Sequence, residues 1–241
     1  MKAIILAAGR GSRMKSLTAE KPKCLVEING KPLLEWQLEA LRGAGVNDIA
    51  IVTGYKKELL HHYGLEEFHN PLWADTQMVS SLICAEDWFG SGDCIVSYSD
   101  IFYETSAISL LRNCNAEVCI TYDPDWEKLW KQRFDDPLSD AETFCLDDEG
   151  YLLEIGGKAN SIDEIQGQYM GLLKFKKEGA VNFLNICKDL TPNQLFAMHM
   201  THVLDLMVNK HFRSIRPLEY RGKWGEFDTE CDLKVSLADV C

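Results

Sequence analysis

In the first half of the chain, short apolar runs alternate with stretches of helical periodicity, and this alternation restricts the possible folds most. Strand-like runs fall at 3–8, 48–53, 66–70, 93–98 and 117–122, and helix-like stretches at 33–42, 56–62, 78–87 and 106–113. Within 33–42, Leu33, Leu34, Trp36, Leu38 and Leu41 recur near helical spacing, and Gly43 and Gly45 close the segment as glycines do at helix ends. Strands alternating with helices predict an α/β fold: a Rossmann-like, mostly parallel mixed sheet flanked by helices on both faces. Ligands of such sheets bind beyond the carboxyl ends of the strands. Residues 9–13 and Asp100 each follow such an end and should face one cleft.

Residues 24–28 with Asn29-Gly30 suggest a short strand and a tight turn after the first strand's loop, and from Asp123 the pattern weakens. Residues 123–142 mix Trp126, Trp130, Phe134 and two prolines with many charges. Strand-like pieces return at 143–146, 151–155 and 168–175; helices are expected at 178–190 and 194–209, strands at 212–217 and 224–228, and a last helix at 230–240. With no repeat, low-complexity tract or linker, the expectation is one domain over 1–241, with 123–175 as a small α+β insertion inside it.

Formal net charge is −12, which sets nucleic acid and anionic membrane surfaces aside as partners because both would repel the molecule. Nine cysteines occur as singles with no Cys-x-x-Cys, so neither a disulfide framework nor a zinc site is expected, and a reducing cytoplasm fits. The N-terminal apolar run is too short for a signal peptide, and no apolar stretch is long enough to insert across a bilayer. Of the histidines, only His199 and His202 share helical-face spacing, and no Glu or Cys completes a zinc set.

Against this acidic background, Gly9-Arg10-Gly11-Ser12-Arg13 and then Lys21-Pro22-Lys23 gather four cations directly after the first strand. Glycines let backbone N–H groups approach phosphate oxygens, and guanidinium forks grip them. The residues support a nucleoside triphosphate site, with a tight turn carrying solvated charges as the plainer alternative. Met14 stands where a dinucleotide fingerprint needs its third glycine, and no Walker-type string occurs. Asp100 ends the run Ile95-Val-Ser-Tyr-Ser-Asp100, and two roles are open to it: a carboxylate for Mg²⁺, or the N-cap of the segment starting near Thr105. Asp228 could likewise cap the last helix.

The string over 3–25 resembles the signature of nucleotidyltransferases that join a nucleoside triphosphate to a phosphorylated small molecule. It departs at Ser16, where many members carry Pro. Trp224-Gly-Glu-Phe-Asp228 is similar to a late segment of the same enzymes. The resemblance implies Arg13, Lys23, Asp100 and Asp228 as catalytic residues, with Asp100 and Asp228 holding Mg²⁺ and Glu226 a weaker candidate. It further implies nucleotide binding by Ala7, Ala8, Gly9, Arg10, Gly11, Ser12, Arg13, Lys23, Gln77 and Ser81.

Residues 126–134, 140–143, 157–160 and 166–172 resemble a narrower group, cytidylyltransferases that use CTP to activate phosphocholine, 2-aminoethylphosphonate or phosphorylated amino acids. That likeness implies Arg133 and Lys158 as ligands of the acceptor's anionic end. It offers Trp126, Trp130 and Trp224 either as cation–π contacts to an acceptor ammonium or as ordinary packing, and Glu164 and Gln166 as holders of an amine or amide end. Residues 75–82 lack the Gln-Gly-Thr/Leu-Ala string usual in sugar-activating relatives that take UTP or TTP. The expected partners are therefore CTP and a small phosphorylated or phosphonate acceptor, joined with release of pyrophosphate. The runners-up are a sugar-1-phosphate nucleotidyltransferase and a non-catalytic nucleotide-binding regulatory module.

Overall fold

The computed structural model describes residues 1–233; the helix expected at 230–240 lies, beyond Leu233, outside the described residues. The chain opens with β1 (Lys2–Ala7), passes through the basic loop, and forms a two-strand hairpin from β2 (Glu27–Ile28) and β3 (Lys31–Pro32). Then come α1 (Leu33–Gly43), β4 (Asp48–Thr53), β5 (Glu66–His69), α2 (Met78–Ile83), α3 (Glu86–Phe89), β6 (Cys94–Tyr98), β7 (Ile101–Tyr103), α4 (Thr105–Asn113) and β8 (Val118–Asp123). Outside the main sheet follow α5 (Trp126–Arg133) and the antiparallel pair β9 (Glu142–Leu146) and β10 (Leu152–Lys158). The remaining elements are β11 (Gln168–Phe175), α6 (Lys177–Lys188), α7 (Pro192–Phe196), α8 (Met200–Lys210), β12 (Ile215–Glu219) and β13 (Trp224–Glu226).

Seven strands form the main sheet in the order β12-β8-β11-β6-β1-β4-β5, parallel throughout except for β11, which runs antiparallel between β6 and β8. The mostly parallel mixed sheet read from the alternation is thus present. Within the 123–175 stretch, residues 124–167 leave the sheet, whereas 168–175 is its strand β11.

Strand periodicity sorts the core into two layers. Ile4, Leu6 and Val52 face α2, α3, α6 and α8, together with Trp126 and Trp130 of α5. Ala3, Ile5 and Ile51 face Leu34, Leu38 and Leu41 of α1 and Ile108 and Leu111 of α4. A third, smaller cluster joins Met14 of the basic loop, Val26, Ile28, Leu33, Phe102 of β7 and Phe227 beyond β13.

Four local expectations change. Residues 56–62 form two 3₁₀ turns, Lys57–Leu59 and His61–Tyr63, and the left-handed backbone at Lys56 and Gly64 takes both ends of the segment out of helical geometry. The single helix read over 78–87 is two, α2 and α3, separated by Cys84 and Ala85. The helix read over 194–209 is also two: α7 begins at a Thr191–Gln194 capping box, and the extended backbone of His199 separates it from α8. Residues 126–133 are helical despite weak periodicity, since only Trp126 and Trp130, one turn apart, are buried while the Lys131–Glu127 pair faces outward.

Among the described residues no helix is long and apolar enough to cross a membrane. The eight cysteines there are free.

Candidate active site

Lys23 reaches the cleft because Gly11 lets it pass. Gly11 sits at φ 72, and a Cβ there would lie 2.8 Å from the Lys23 side chain. Extended Pro22 then presents Lys23 at the head of a 3₁₀ turn, and Thr18 donates to the Gly11 carbonyl at 2.9 Å, closing the loop on itself. Met14, in the third apolar cluster, fixes the far side of the loop.

The Asp100 turn is held from behind. Gln37, fully buried on the apolar stripe of α1, donates through Nε2 to the carbonyls of Tyr98 (2.8 Å) and Ile101 (2.6 Å), which flank Ser99 and Asp100. Asp228 arrives through nonlocal strand pairing: β13 runs antiparallel to β7 with Glu226 opposite Ile101, and the Phe227 amide donates to the Asp100 carbonyl at 2.9 Å. Phe227 is fully buried beside Phe102, so apolar packing sets the two carboxylates side by side.

Four of the residues implied by the sequence therefore meet. Lys23, 7% exposed, donates to Asp100 Oδ2 at 2.7 Å and to Asp228 Oδ1. Arg13 Nη2 lies 2.9 Å from Asp228 Oδ1, with its side chain 64% exposed. Burial pulls the Lys23 pKa down, but Asp100 and Asp228 outweigh it and the net shift is upward. Burial likewise pushes Asp228 up, and Lys23, Arg13 and Arg133 reverse this, so it stays ionised below the usual carboxylate range. Glu226 is pushed up to about 7, first by burial and then by Asp228, against the pull of Arg133.

The donor set fits a hard divalent cation. Asp100, Glu226 and Asp228 each offer an oxygen within 4.8 Å of the others, and Asp100 Oδ1 is buried with no hydrogen-bond partner. An all-oxygen carboxylate set is what such cations prefer.

The cleft has two lobes that share Arg13, Met78 and Tyr98. The first is lined by Ala8, Gly9, Gly11, Ser12, Arg13, Lys23, Gln77, Ser81 and Asp100, all expected at the site, and also by Trp73, Thr76, Met78, Tyr98 and Ser99, which sequence reasoning missed. Two expected nucleotide-binding residues stand apart: Ala7 is buried in the core, and exposed Arg10 lies over the Tyr55 ring. The second lobe is lined by Arg13, Asp140, Glu142, Gln168, Tyr169, His199, Glu226 and Asp228 among others. Its floor depends on Gly171, at φ 73 in the β11 bulge, where a Cβ would come within 2.7 Å of the Tyr98 ring.

Several residues expected at the acceptor are elsewhere. Trp126 and Trp130 are core side chains: the Trp126 indole donates to the Ile165 carbonyl and Trp130 is fully buried. Trp224 donates to Asp123 and stacks on Trp130, lining a separate hollow with Asp125, Lys128 and Arg221. The Arg133 side chain is 2% exposed, pairs with Glu226 and Asp232, and lines neither lobe. Glu164 accepts from the Asn160 amide and Gln166 from the Leu146 amide; both brace the insertion and line neither lobe. Lys158 is exposed and lines neither lobe, but it stands opposite Glu142 in the β9–β10 ladder and so borders the second.

Comparison with known proteins identifies the family of the chain. The sequence profile of the MobA-like NTP transferase domain matches residues 3–218. The chain is 38% identical to a CTP:phosphoglutamine cytidylyltransferase of Campylobacter jejuni subsp. jejuni serotype O:2, over 98% of this chain and 99% of that protein. It is 35% identical to a choline-phosphate cytidylyltransferase of Streptococcus pneumoniae over 53% of this chain and 61% of that one. Among solved structures, the CTP:phosphocholine cytidylyltransferase of Streptococcus pneumoniae superposes with a TM-score of 0.74 at 23% identity, covering 100% of this chain and 99% of that chain, a likeness of fold. The chain is a nucleotidyltransferase and belongs to the MobA-like NTP transferase domain family.

Proposed function

We propose that this protein transfers CMP from CTP to a small phosphate or phosphonate acceptor that carries an amine or amide end, releasing pyrophosphate. The observation that carries this reading is the junction of Arg13, Lys23, Asp100 and Asp228 between two lobes, the second of them lined by carboxylates. The near full-length similarity to a CTP:phosphoglutamine cytidylyltransferase supports both the nucleotide and the acceptor class.

An acceptor phosphate oxygen forms a bond to the α-phosphorus as the bond to the bridging β-oxygen breaks, and pyrophosphate takes the leaving electron pair. A phosphate dianion is nucleophilic at neutral pH, so no strong general base is needed. The protein's part is alignment and charge neutralisation. Lys23, drawn from its carboxylates, faces the α-phosphate. Arg13, which lines both lobes, steadies the phosphates and the incoming anion. Asp100 and Asp228, with Glu226 beside them, would hold Mg²⁺, which when bound supplies further neutralisation of phosphate charge. Across the second lobe, Asp140, Glu142 and Gln168 offer acceptor oxygens to N–H donors. Burial holds the Asp140 carboxyl above its usual range, outweighing the pull of Arg133, and burial beside His202 keeps His199 neutral to lower pH. The eight free cysteines fit a reducing cytoplasm.

The decisive assay is pyrophosphate release with CTP, UTP or TTP, Mg²⁺, and a panel holding phosphocholine, 2-aminoethylphosphonate, phosphorylated glutamine and sugar 1-phosphates. Release is expected with CTP and the nitrogen-bearing acceptors. Release only with a sugar 1-phosphate and UTP or TTP would overturn the reading, and tight CTP binding without turnover on any acceptor would favour a regulatory module. Lys158→Ala should raise the acceptor KM several-fold more than the CTP KM, as removal of a rim cation from one substrate's side does; a rise confined to CTP would assign Lys158 to the nucleotide.

A further inference from the structure

Arg133 is the charged side chain that the acceptor reading leaves without a task. It is 2% exposed at the end of α5, its guanidinium lies 4.7 Å from the Trp130 ring centre, and its fork is directed at the segment that carries Asp228. Nε donates to Asp232 Oδ1 at 2.9 Å and Nη1 to Glu226 Oε2 at 3.0 Å. Nη2 has no hydrogen bond and stands 3.9 Å from Asp228 Oδ2. Asp232, 3% exposed, turns its other oxygen inward: Oδ2 accepts from the amides of Asp228 (2.9 Å) and Thr229 (2.7 Å) and from the Thr229 hydroxyl (3.0 Å). One guanidinium thus touches every acidic side chain of 226–232 that is turned inward, and it fixes the backbone of Asp228 through Asp232.

We propose that Arg133 is a positioning residue for the metal-binding carboxylates. Resting on the transferase reading above, it orients Glu226 directly and Asp228 through Asp232, so that both are presented to Asp100. Only a planar fork can do this, because two donors at a fixed angle are needed to hold two carboxylates in one relative geometry; a lysine ammonium carries the charge without that geometry. Serving an acceptor phosphate through Nε or Nη1 instead would require breaking the ion pairs to Asp232 and Glu226 and would leave Glu226 without its cation.

The test uses Arg133→Lys, Asp232→Asn and the double variant of the full chain. Mn²⁺ affinity is read by electron paramagnetic resonance of the free ion, with and without CTP, beside steady-state kinetics and thermal melting. Loss of a group that orients metal ligands costs about 10- to 100-fold in metal affinity. Each single variant should show a loss of that size together with a fall in kcat. The acceptor KM should stay within about threefold, and the double variant should be no worse than the poorer single, since both cut one chain of contacts. Unchanged Mn²⁺ affinity with only a lower melting temperature would overturn the proposal, as would a raised acceptor KM at normal Mn²⁺ affinity. If Arg133→Lys melts below the assay temperature, Asp232→Asn interrogates the same link from its other end. Should the wild type turn over none of the acceptors, the transferase reading fails while the Mn²⁺ measurement still decides this one.

Discussion

Asp100→Asn should lower turnover about a thousandfold or more while the protein stays folded. The rate follows from the loss of one of the carboxylates facing the phosphates, where electrostatic stabilisation is the main catalytic term. The tolerance follows from the surroundings. Asp100 sits in a turn, its Oδ1 has no protein partner, and the Lys23 ammonium that it now shares would keep Asp228. The Gln37 bonds that hold the turn run to the carbonyls of Tyr98 and Ile101, which the substitution leaves alone. Pyrophosphate release at saturating CTP and acceptor, read beside circular dichroism and a melting curve, checks both halves. Near-normal rates at ordinary Mg²⁺ would remove Asp100 from the site.

Trp130→Ala should act in the opposite manner. A fully buried indole packed among Trp126, Phe134 and Trp224 leaves a large cavity when truncated, and such losses cost about 3–5 kcal/mol. For a chain of this size that lowers Tm by roughly 10 °C. In protein that remains folded below its new midpoint, the acceptor KM should be nearly unchanged, because Trp130 lines neither lobe of the cleft. A cation–π partner of the acceptor would give the reverse: normal melting and a raised acceptor KM.

What sequence could and could not reveal divides by the range of the interactions involved. The strand-to-loop transition at 3–13 is a local string whose charge stands out against an acidic chain, and within it Leu6, Ala8, Gly9, Gly11, Ser12 and Arg13 line the cleft. Asp100 was legible because it ends an apolar run, and Asp228 through the likeness of Trp224-Gly-Glu-Phe-Asp228 to a late segment of nucleotidyltransferases. Arg133 was not: its partner Asp232 lies 99 positions away, and nothing in Trp-Lys-Gln-Arg-Phe distinguishes a cation facing a ligand from one facing an internal carboxylate. Trp126 and Trp130 were ambiguous for a related reason, since an aromatic beside charges suits a core helix as well as a binding wall. Gln37 did leave a trace. It occupies a buried position one helical turn after Leu33 and one before Leu41, and a polar residue on an apolar stripe needs a buried partner, which the Asp100 turn provides.

The pairing of β7 with β13 bears on the order in which the molecule becomes competent. The Lys23–Asp228 contact spans 205 positions; Glu226 ends, and Asp228 follows, a short strand that pairs with β7. Contacts of such separation carry a large loop-closure cost and are made late unless other packing has already brought their partners close. During synthesis β5, β4, β1 and β6 can pair with one another well before the Asp228 segment has left the ribosome. A nascent chain can therefore hold the basic loop and Asp100 while lacking two of its three clustered carboxylates, Glu226 and Asp228. Competence for transfer then arrives in a single late docking step, when Phe227 seats beside Phe102 and Met14, and the chain passes from a binder of nucleotides to a catalyst.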